Sequence, residues 1–205
     1  MTSESLSQKK SALAVRSRIL QAVRLFFLDR DFIEADTPVR IPVPALELHI
    51  DAEASGSHFL RTSPELHMKR MLADGYERIF QMGPCFRRGE KGRLHNPEFT
   101  MLEWYRANAD YNDILLDTKS LLSFVFERVL GKTFVEYKGR RIDILPIWDC
   151  IPVEEAYLMN AGWNPVKHFD ADRFDVDLIE KVEPSFAFDH PVVLKDYPAE
   201  AAALA

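Results

Sequence analysis

The sequence predicts an α+β fold, a mostly antiparallel sheet flanked by helices. Three observations carry this: two long stretches with helical apolar spacing, several short β-prone pieces, and turn signals that join many of those pieces as hairpins. At 205 residues, with 47% hydrophobic and 28% charged side chains, the chain has the length and composition of one domain with a real core.

Taken in order, Leu13 to Phe27 repeats apolar residues at Ile19, Leu20, Val23, Phe26 and Phe27, which makes an amphipathic helix. Phe32 to Ala35 reads as a short strand that Thr37-Pro38 ends, since proline lacks a donor and restricts the residue before it. Pro38, Pro42 and Pro44 hold an extended segment to His49, and Ile50 to His58 forms a loop or loose hairpin around Ser55-Gly56-Ser57. Phe59 to Thr62 is a strand. Ser63-Pro64-Glu65 then opens a helix, with serine as cap, proline in the first turn and a carboxylate at the positive end. Met68, Met71 and Leu72 face inward, and Gly75 closes the helix. Glu65 either complements the helix dipole or stands at the rim of a pocket.

The central stretch runs from Ile79 to Arg106. Ile79 to Met82 and Phe86 to Arg88 are β-prone, with Gly83-Pro84 between them as a turn signal. A polar loop, Gly89 to Pro97, follows. Phe99 to Tyr105 then alternates, with Phe99, Met101, Glu103 and Tyr105 on one face and Thr100, Leu102 and Trp104 on the other. An apolar face that carries a carboxylate and a phenol is a candidate pocket floor. Farther on, Asn112 to Leu130 is a second long helix, with Leu115, Leu122, Val125 and Val129 inward and Gly131 as its stop. Phe134 to Tyr137 and Arg141 to Leu145 flank Lys138-Gly139-Arg140 as a hairpin. Pro152 opens a short helix ending at Gly162, Val176 to Val182 gives a weak one, and Val192 to Lys195 reads as a buried strand before the tail Ala199 to Ala205.

Composition excludes several function classes. A net charge of -6 argues against a dedicated nucleic-acid clamp. No apolar run reaches transmembrane length, and Met1 to Lys10 is polar rather than signal-like. Cys85 and Cys150, alone and far apart, suit reduced thiols in a cytoplasmic protein better than a disulfide or a metal site.

Arg87 and Arg88 point to opposite sides of a strand, so one of them faces inward and needs an anion. A phosphate would serve, and so would an ion pair with Glu98 or Glu103. Glu103 itself either pairs with an internal arginine or awaits a cationic ligand. No Walker loop, no G-x-G-x-x-G and no zinc spacing occurs, and no motif makes Ser63 and His67 a nucleophile and base.

Phe86-Arg87 and His95-Asn96-Pro97-Glu98-Phe99-Thr100-Met101-Leu102-Glu103-Trp104-Tyr105 resemble motif 2 of class II aminoacyl-tRNA synthetases, in the lysyl branch. Phe32 to Pro38 is similar to the end of motif 1. Thr62 to Lys69 is similar to the branch's amino-acid-binding helix start, and Lys195-Asp196-Tyr197-Pro198-Ala199 to a later family strand. The HNPEFTMLEWY run and the SPE-x-HMK helix look most like the stand-alone lysyl synthetase paralogue that modifies elongation factor P. The start of the chain directly at the helix before motif 1, with no anticodon-binding domain, agrees with that branch.

The resemblance implies a class II synthetase-like catalytic domain over residues 1–205, with motifs 1 and 2 present. No Gly-rich stretch ending in Asp-Arg occurs, so motif 3 is absent and the domain is expected to be C-terminally incomplete. It further implies an ATP-dependent ligase that activates lysine or (R)-β-lysine as its adenylate and passes it to a lysine of elongation factor P, with tRNA an unlikely partner. The alternatives are a non-catalytic module and a fragment of a lysyl-tRNA synthetase. Arg87 would grip the α-phosphate and the substrate carboxylate, with Arg88, Gly89, Glu90 and Asn96 completing the ATP contacts. Ser63, Pro64 and Glu65 would line the amino-acid pocket, and Glu103 and Tyr105 would meet the side-chain ammonium. Magnesium would bridge the ATP phosphates. Two places after Arg87, where the family carries an acidic residue for adenine, this chain has Gly89, and a one-residue shift would let Glu90 take that part. The helix and strand of motif 1 imply a homodimer.

Overall fold

The computed structural model describes residues 3–44, 50–145 and 147–201. The ends of two expected segments, the extended run to His49 and the tail to Ala205, lie outside the described residues. The chain folds as two compact units, Met1–Leu121 and Leu122–Ala205.

In the first unit, helix α1 (Ser3–Leu28) leads into strand β1 (Ile33–Glu34), and Asp31 turns the chain between them with φ of 61°. The small sheet β2 (Arg40–Ile41), β4 (His58–Leu60) and β3 (Ala54–Ser55) bears out the loose hairpin. Helix α2 spans Glu65–Ala73. The main sheet is β1, β5 (Arg78–Phe86) and β6 (Glu98–Arg106), parallel between β1 and β5 and antiparallel between β5 and β6.

The register between β5 and β6 sorts their side chains. Phe80 lies opposite Trp104, and Gln81 lies opposite Glu103. Opposed residues in an antiparallel pair share a face. The even face packs on α1, where Phe27 stacks on Phe80 at 4.7 Å and meets Trp104 at 5.5 Å, with Phe26 and Phe32 edge-on. The odd face carries Gln81, Gly83, Cys85 and Arg87 beside Phe99, Met101, Glu103 and Tyr105. The expected alternation in β6 is therefore present.

The turn expected at Gly83-Pro84 is not there, because β5 runs straight through both residues. Phe86, of the same parity as Pro84, sends its N–H away from β6 to Arg61 O at 2.9 Å. Pro84 thus lacks its donor on the side where no β6 bond is needed, the position a strand tolerates. Gly83 is small for a different reason. A Cβ there would lie 2.9 Å from Arg61 Nη2.

Helix α3 (Tyr111–Leu130) begins within the first unit and ends in the second, one residue longer than expected at its start. The second unit holds the expected hairpin, β7 (Phe134–Tyr137) and β8 (Arg140–Asp143), turned by Lys138 and Gly139 at φ of 50° and 73°. Two positive φ values are what a tight two-residue hairpin requires. Strand β9 (Asp149–Pro152), absent from the sequence reading, pairs in parallel with β10 (Val192–Lys195). Helix α4 (Val153–Asn160) follows Pro152 as expected. The weak helix starts earlier than Val176: α5 is Ala171–Asp177, capped by Asp170, which accepts from Arg173 N at 3.0 Å, and a π turn continues to Val182. The core here is Tyr157 stacked on Phe174 at 4.8 Å, with Val153, Ala156 and Val182. Among the described residues the strands fall into four small sheets, mostly antiparallel, with β1–β5 and β9–β10 parallel.

Candidate active site

The odd face of β5 and β6, together with the start of α2, gathers most of the expected site residues. Glu103 is half-buried, and both its oxygens are engaged: Ser63 Oγ donates to Oε2 at 2.7 Å and the Tyr105 hydroxyl to Oε1 at 2.6 Å. Two hydroxyl donors thus meet one carboxylate. Burial, and then the adjoining Glu103 and the charge of Glu65, push the Tyr105 phenol well above its ordinary value, so it remains a donor. Ser63 Oγ also accepts from Glu65 N at 3.0 Å. It therefore does the capping expected of it, although the residue at the cap position is Pro64. Its proton goes to Glu103, and burial, then Arg70 and Arg61, hold His67 below its usual value. Glu65 is 8% exposed and pairs with Lys69 Nζ at 2.7 Å. Pro64 is fully buried.

Arg87 follows β5 on the same face. Its side chain lies over Phe99, 5.3 Å from the ring centroid, and reaches Glu90 at 4.0 Å. Its Nε is buried with no hydrogen-bond partner. Leaving a buried donor unmade costs about 1–3 kcal/mol, so such a group needs a reason. The reason is adjacent: an open hollow of about 420 Å³ lined by Arg87, Gly89, Glu90, Lys91, Gly92 and His95. An arginine fork facing a hollow with a lysine and glycine-flanked backbone suits a phosphate or carboxylate. Of the two ion pairs open for Arg87, neither forms, since Glu103 is taken by Ser63 and Tyr105 and Arg87 meets Glu90 instead. Arg88 points the other way and bonds Asp51 at 3.0 Å. Asn96 is exposed in the loop.

Sequence reasoning missed Arg61, the support behind this face. Its side chain is fully buried, donating to Thr37 O at 2.8 Å, Thr37 Oγ1 at 3.0 Å and Pro84 O at 3.0 Å. The Gln81 amide, with its oxygen turned to Arg61, accepts from Nη1 at 2.6 Å and Nη2 at 3.0 Å, and its nitrogen donates to Thr37 Oγ1 at 2.8 Å. Burial raises the Cys85 thiol above its ordinary value, with Arg61 and Arg87 pulling it back down. The signal was available: a charged residue inside the apolar strand Phe59 to Thr62 invites the same question that was asked of Arg87. Lys69, Lys91 and His95 were also missed as site residues.

Among the described residues no group of three or more His, Cys, Asp or Glu is placed to hold a metal, and no helix is long and apolar enough to cross a membrane. Both cysteines are free.

A helix-backed antiparallel strand pair here presents an arginine beside a hollow and, on the same face, a carboxylate bound by two hydroxyls. The family follows from comparison of the whole chain. It belongs to the tRNA synthetases class II (D, K and N), whose family model matches residues 4–205. Similar curated proteins include the lysine–tRNA ligase of Pelotomaculum thermopropionicum, 36% identical over 75% of this chain and 31% of the relative. The lysine–tRNA ligase of Chromohalobacter salexigens is 31% identical over 97% of this chain and 44% of its own length. That of Clostridium perfringens is 36% identical over 77% and 33%. The chain thus spans between about a third and under a half of the length of these relatives.

Proposed function

We propose that the chain is the amino-acid-activating part of an ATP-dependent ligase for lysine or (R)-β-lysine. One observation carries the reading: Glu103, fenced by Ser63 and Tyr105, stands on the same sheet face as Arg87, so a cation site and an anion site share one floor. The substrate ammonium would sit at Glu103 and Tyr105, and its carboxylate would point toward Arg87. A carboxylate oxygen attacks the α-phosphorus, the bond to pyrophosphate breaks, and Arg87 stabilises charge on the phosphoryl oxygens as it develops. An acceptor nucleophile then attacks the carbonyl carbon and AMP leaves. The orphaned Arg87 Nε beside the 420 Å³ hollow fits a phosphate, with Glu90 at hand for the adenine. Magnesium would be held largely by the phosphate oxygens.

For the acceptor we propose a lysine of elongation factor P, on the strength of the HNPEFTMLEWY and SPE-x-HMK wording. A second reading, tRNA as acceptor, is favoured by the names of the relatives, which are lysine–tRNA ligases. The proposed assembly is a homodimer through α1 and β1, which leave Leu13, Ile19, Leu28 and Ile33 exposed. The proposed compartment is the cytoplasm, in keeping with the free thiols. Pyrophosphate exchange with lysine and with (R)-β-lysine tests activation, and a chain that binds neither amino acid nor ATP is a non-catalytic module. Transfer of labelled amino acid to elongation factor P rather than to tRNA supports the first acceptor, and transfer to tRNA alone removes it. Sedimentation as a monomer at micromolar concentration removes the dimer.

A further inference from the structure

Arg61, directly after β4, is a fully buried cation. Burying charge is costly, and a well-packed apolar side chain of like volume often serves stability as well or better. What this guanidinium does depends on where it lies. A Cβ on Gly83 would stand 2.9 Å from Nη2, so the guanidinium rests on the odd face of β5 at Gly83. In the register of the strand pair that is the level of Gly83 and Met101. One step to one side is the level of Gln81 and Glu103, and one step to the other is that of Cys85 and Phe99. Arg87 lies over Phe99. Each step is two residues, roughly 7 Å along a strand. Arg61 therefore sits at the level between the proposed cation site and the proposed anion site, and it is tied toward both. Toward Glu103, Nη1 and Nη2 donate at 2.6 Å and 3.0 Å to the Gln81 amide oxygen, and Gln81 stands opposite Glu103. Toward Arg87, Arg61 O accepts from Phe86 N at 2.9 Å, one residue before Arg87, and Nε donates to Pro84 O at 3.0 Å. Nη1 also donates to Thr37 O and Oγ1, which anchors the guanidinium to the segment after β1.

We propose that Arg61 is a positioning residue that sets the spacing between Glu103 and Arg87, and with it the length of amino acid that the face accepts. This rests on the reading of the face as an amino-acid site and adds what fixes its chain-length specificity. The planar fork is what the role requires: its donors lie in a fixed plane and reach Thr37, Gln81 and Pro84 at once, whereas a lysine carries the charge without the fork. A ligand held at both ends is sensitive to such support, since a shift of about 1 Å in a remote residue can cost about 100-fold.

Calorimetric titration of the full chain reads this role. The ligands are whichever of L-lysine and (R)-β-lysine binds the wild type more tightly, and its homologue shorter by one methylene. The measured quantity is the ratio of the two Kd values, because a loss of folded protein lowers the number of sites and leaves Kd unchanged. The wild type is expected to favour the longer amino acid by about tenfold or more. Arg61→Lys keeps the charge and loses the fork, and Gly83→Ala keeps Arg61 and crowds it off the face. Each is expected to bring the ratio to within about twofold of one. Gly83→Ala, with the smaller expected cost in stability, reports if Arg61→Lys does not fold. An Arg61 that only holds the fold together lowers the melting temperature in both variants and leaves the ratio at the wild-type value, and that result overturns the proposal. A wild type that binds both lengths equally also overturns it, since no spacing is then set. Failure of the underlying site reading has its own signature: the wild type binds neither L-lysine nor (R)-β-lysine, and the proposal falls together with the site.

Discussion

The odd face of β5 and β6 and the aromatic core around Tyr157 both bury polar atoms among apolar ones, yet they treat them in opposite ways. In the second unit the polar handles are closed off locally: the Tyr157 hydroxyl donates to Phe174 O at 2.8 Å, and Trp163 Nε1 donates to Asp177 Oδ2 at 2.8 Å. Asp177 in turn meets Arg173 and Lys181. On the sheet face the arrangement is left open. Arg87 Nε has no hydrogen-bond partner, and fully buried Arg61 is met by the neutral oxygens of Thr37, Pro84 and Gln81. If the sheet face binds a ligand as proposed, the open Arg87 donor is the part of its hydrogen bonding left for that ligand.

The contrast breaks most visibly by removing packing. Phe174→Ala takes away a ring stacked on Tyr157 and the buried volume around it, for an expected loss of about 3–5 kcal/mol in unfolding free energy. Denaturant unfolding followed by circular dichroism measures it, and a loss below about 1 kcal/mol would mean that this cluster is not a core. Arg87→Ala should behave in the reverse manner. It removes an unpartnered buried donor, so thermal stability is expected to hold or rise, while adenylate formation falls about 100- to 1,000-fold. Exchange kinetics and a melting curve on the same sample decide it, and an equal fall in both would make Arg87 a structural residue.

Gly83→Ala sharpens the comparison at the boundary between packing and chemistry. The new methyl would lie 2.9 Å from Arg61 Nη2, and that guanidinium is tied to Thr37, Pro84 and Gln81, so it cannot simply rotate away. Overpacking of this kind costs about 1–3 kcal/mol. A variant as stable as the wild type would show that the Arg61 post is loose.

Gly83 also shows where the sequence stops being legible. The helices α1 and α3 and the alternation of β6 are periodic over many residues, and in the helices the period picks out Val23, Phe26 and Phe27 and then Val125 and Val129, all buried. Gly83-Pro84 carries the same local signal whether it turns the chain or lies flat in a strand. What decides between these is Arg61, twenty-odd positions upstream, occupying the space a side chain would need. Strand β9 fails for a related reason: four residues ending in proline are a strand only because β10, some forty positions later, pairs with them. For the site, strict alternation put Glu103 and Tyr105 on one face with Phe99 and Met101, and the β5–β6 register adds Arg87 to that face. The Arg61 network depends on Thr37, Gln81 and Pro84, partners that no local pattern reveals.

The smallest expected effect lies at the edge of the second unit and probes its habit of closing polar groups locally. His190 bridges Asp149 at 3.0 Å through Nε2 and Asp189 at 2.7 Å through Nδ1, beside a hollow that Arg141 and Asp143 also line. The Asp149 hydrogen bond first, and then that to Asp189, raise the imidazole above its ordinary value of 6.5. A folded value raised above the unfolded one stabilises the protein fully below the unfolded value, and the gain is lost as pH rises through the folded value. Stability is therefore expected to decline slightly above pH 6.5, as the proton leaves His190 and the tie between β9 and the segment before β10 becomes a neutral one. Proton resonances of the His190 ring should titrate above 6.5, and Asp149→Asn should bring the midpoint down and flatten the decline. A midpoint at or below 6.5 in the wild type would place His190 outside the closed network, and the contrast between the two regions would then end at Asp177.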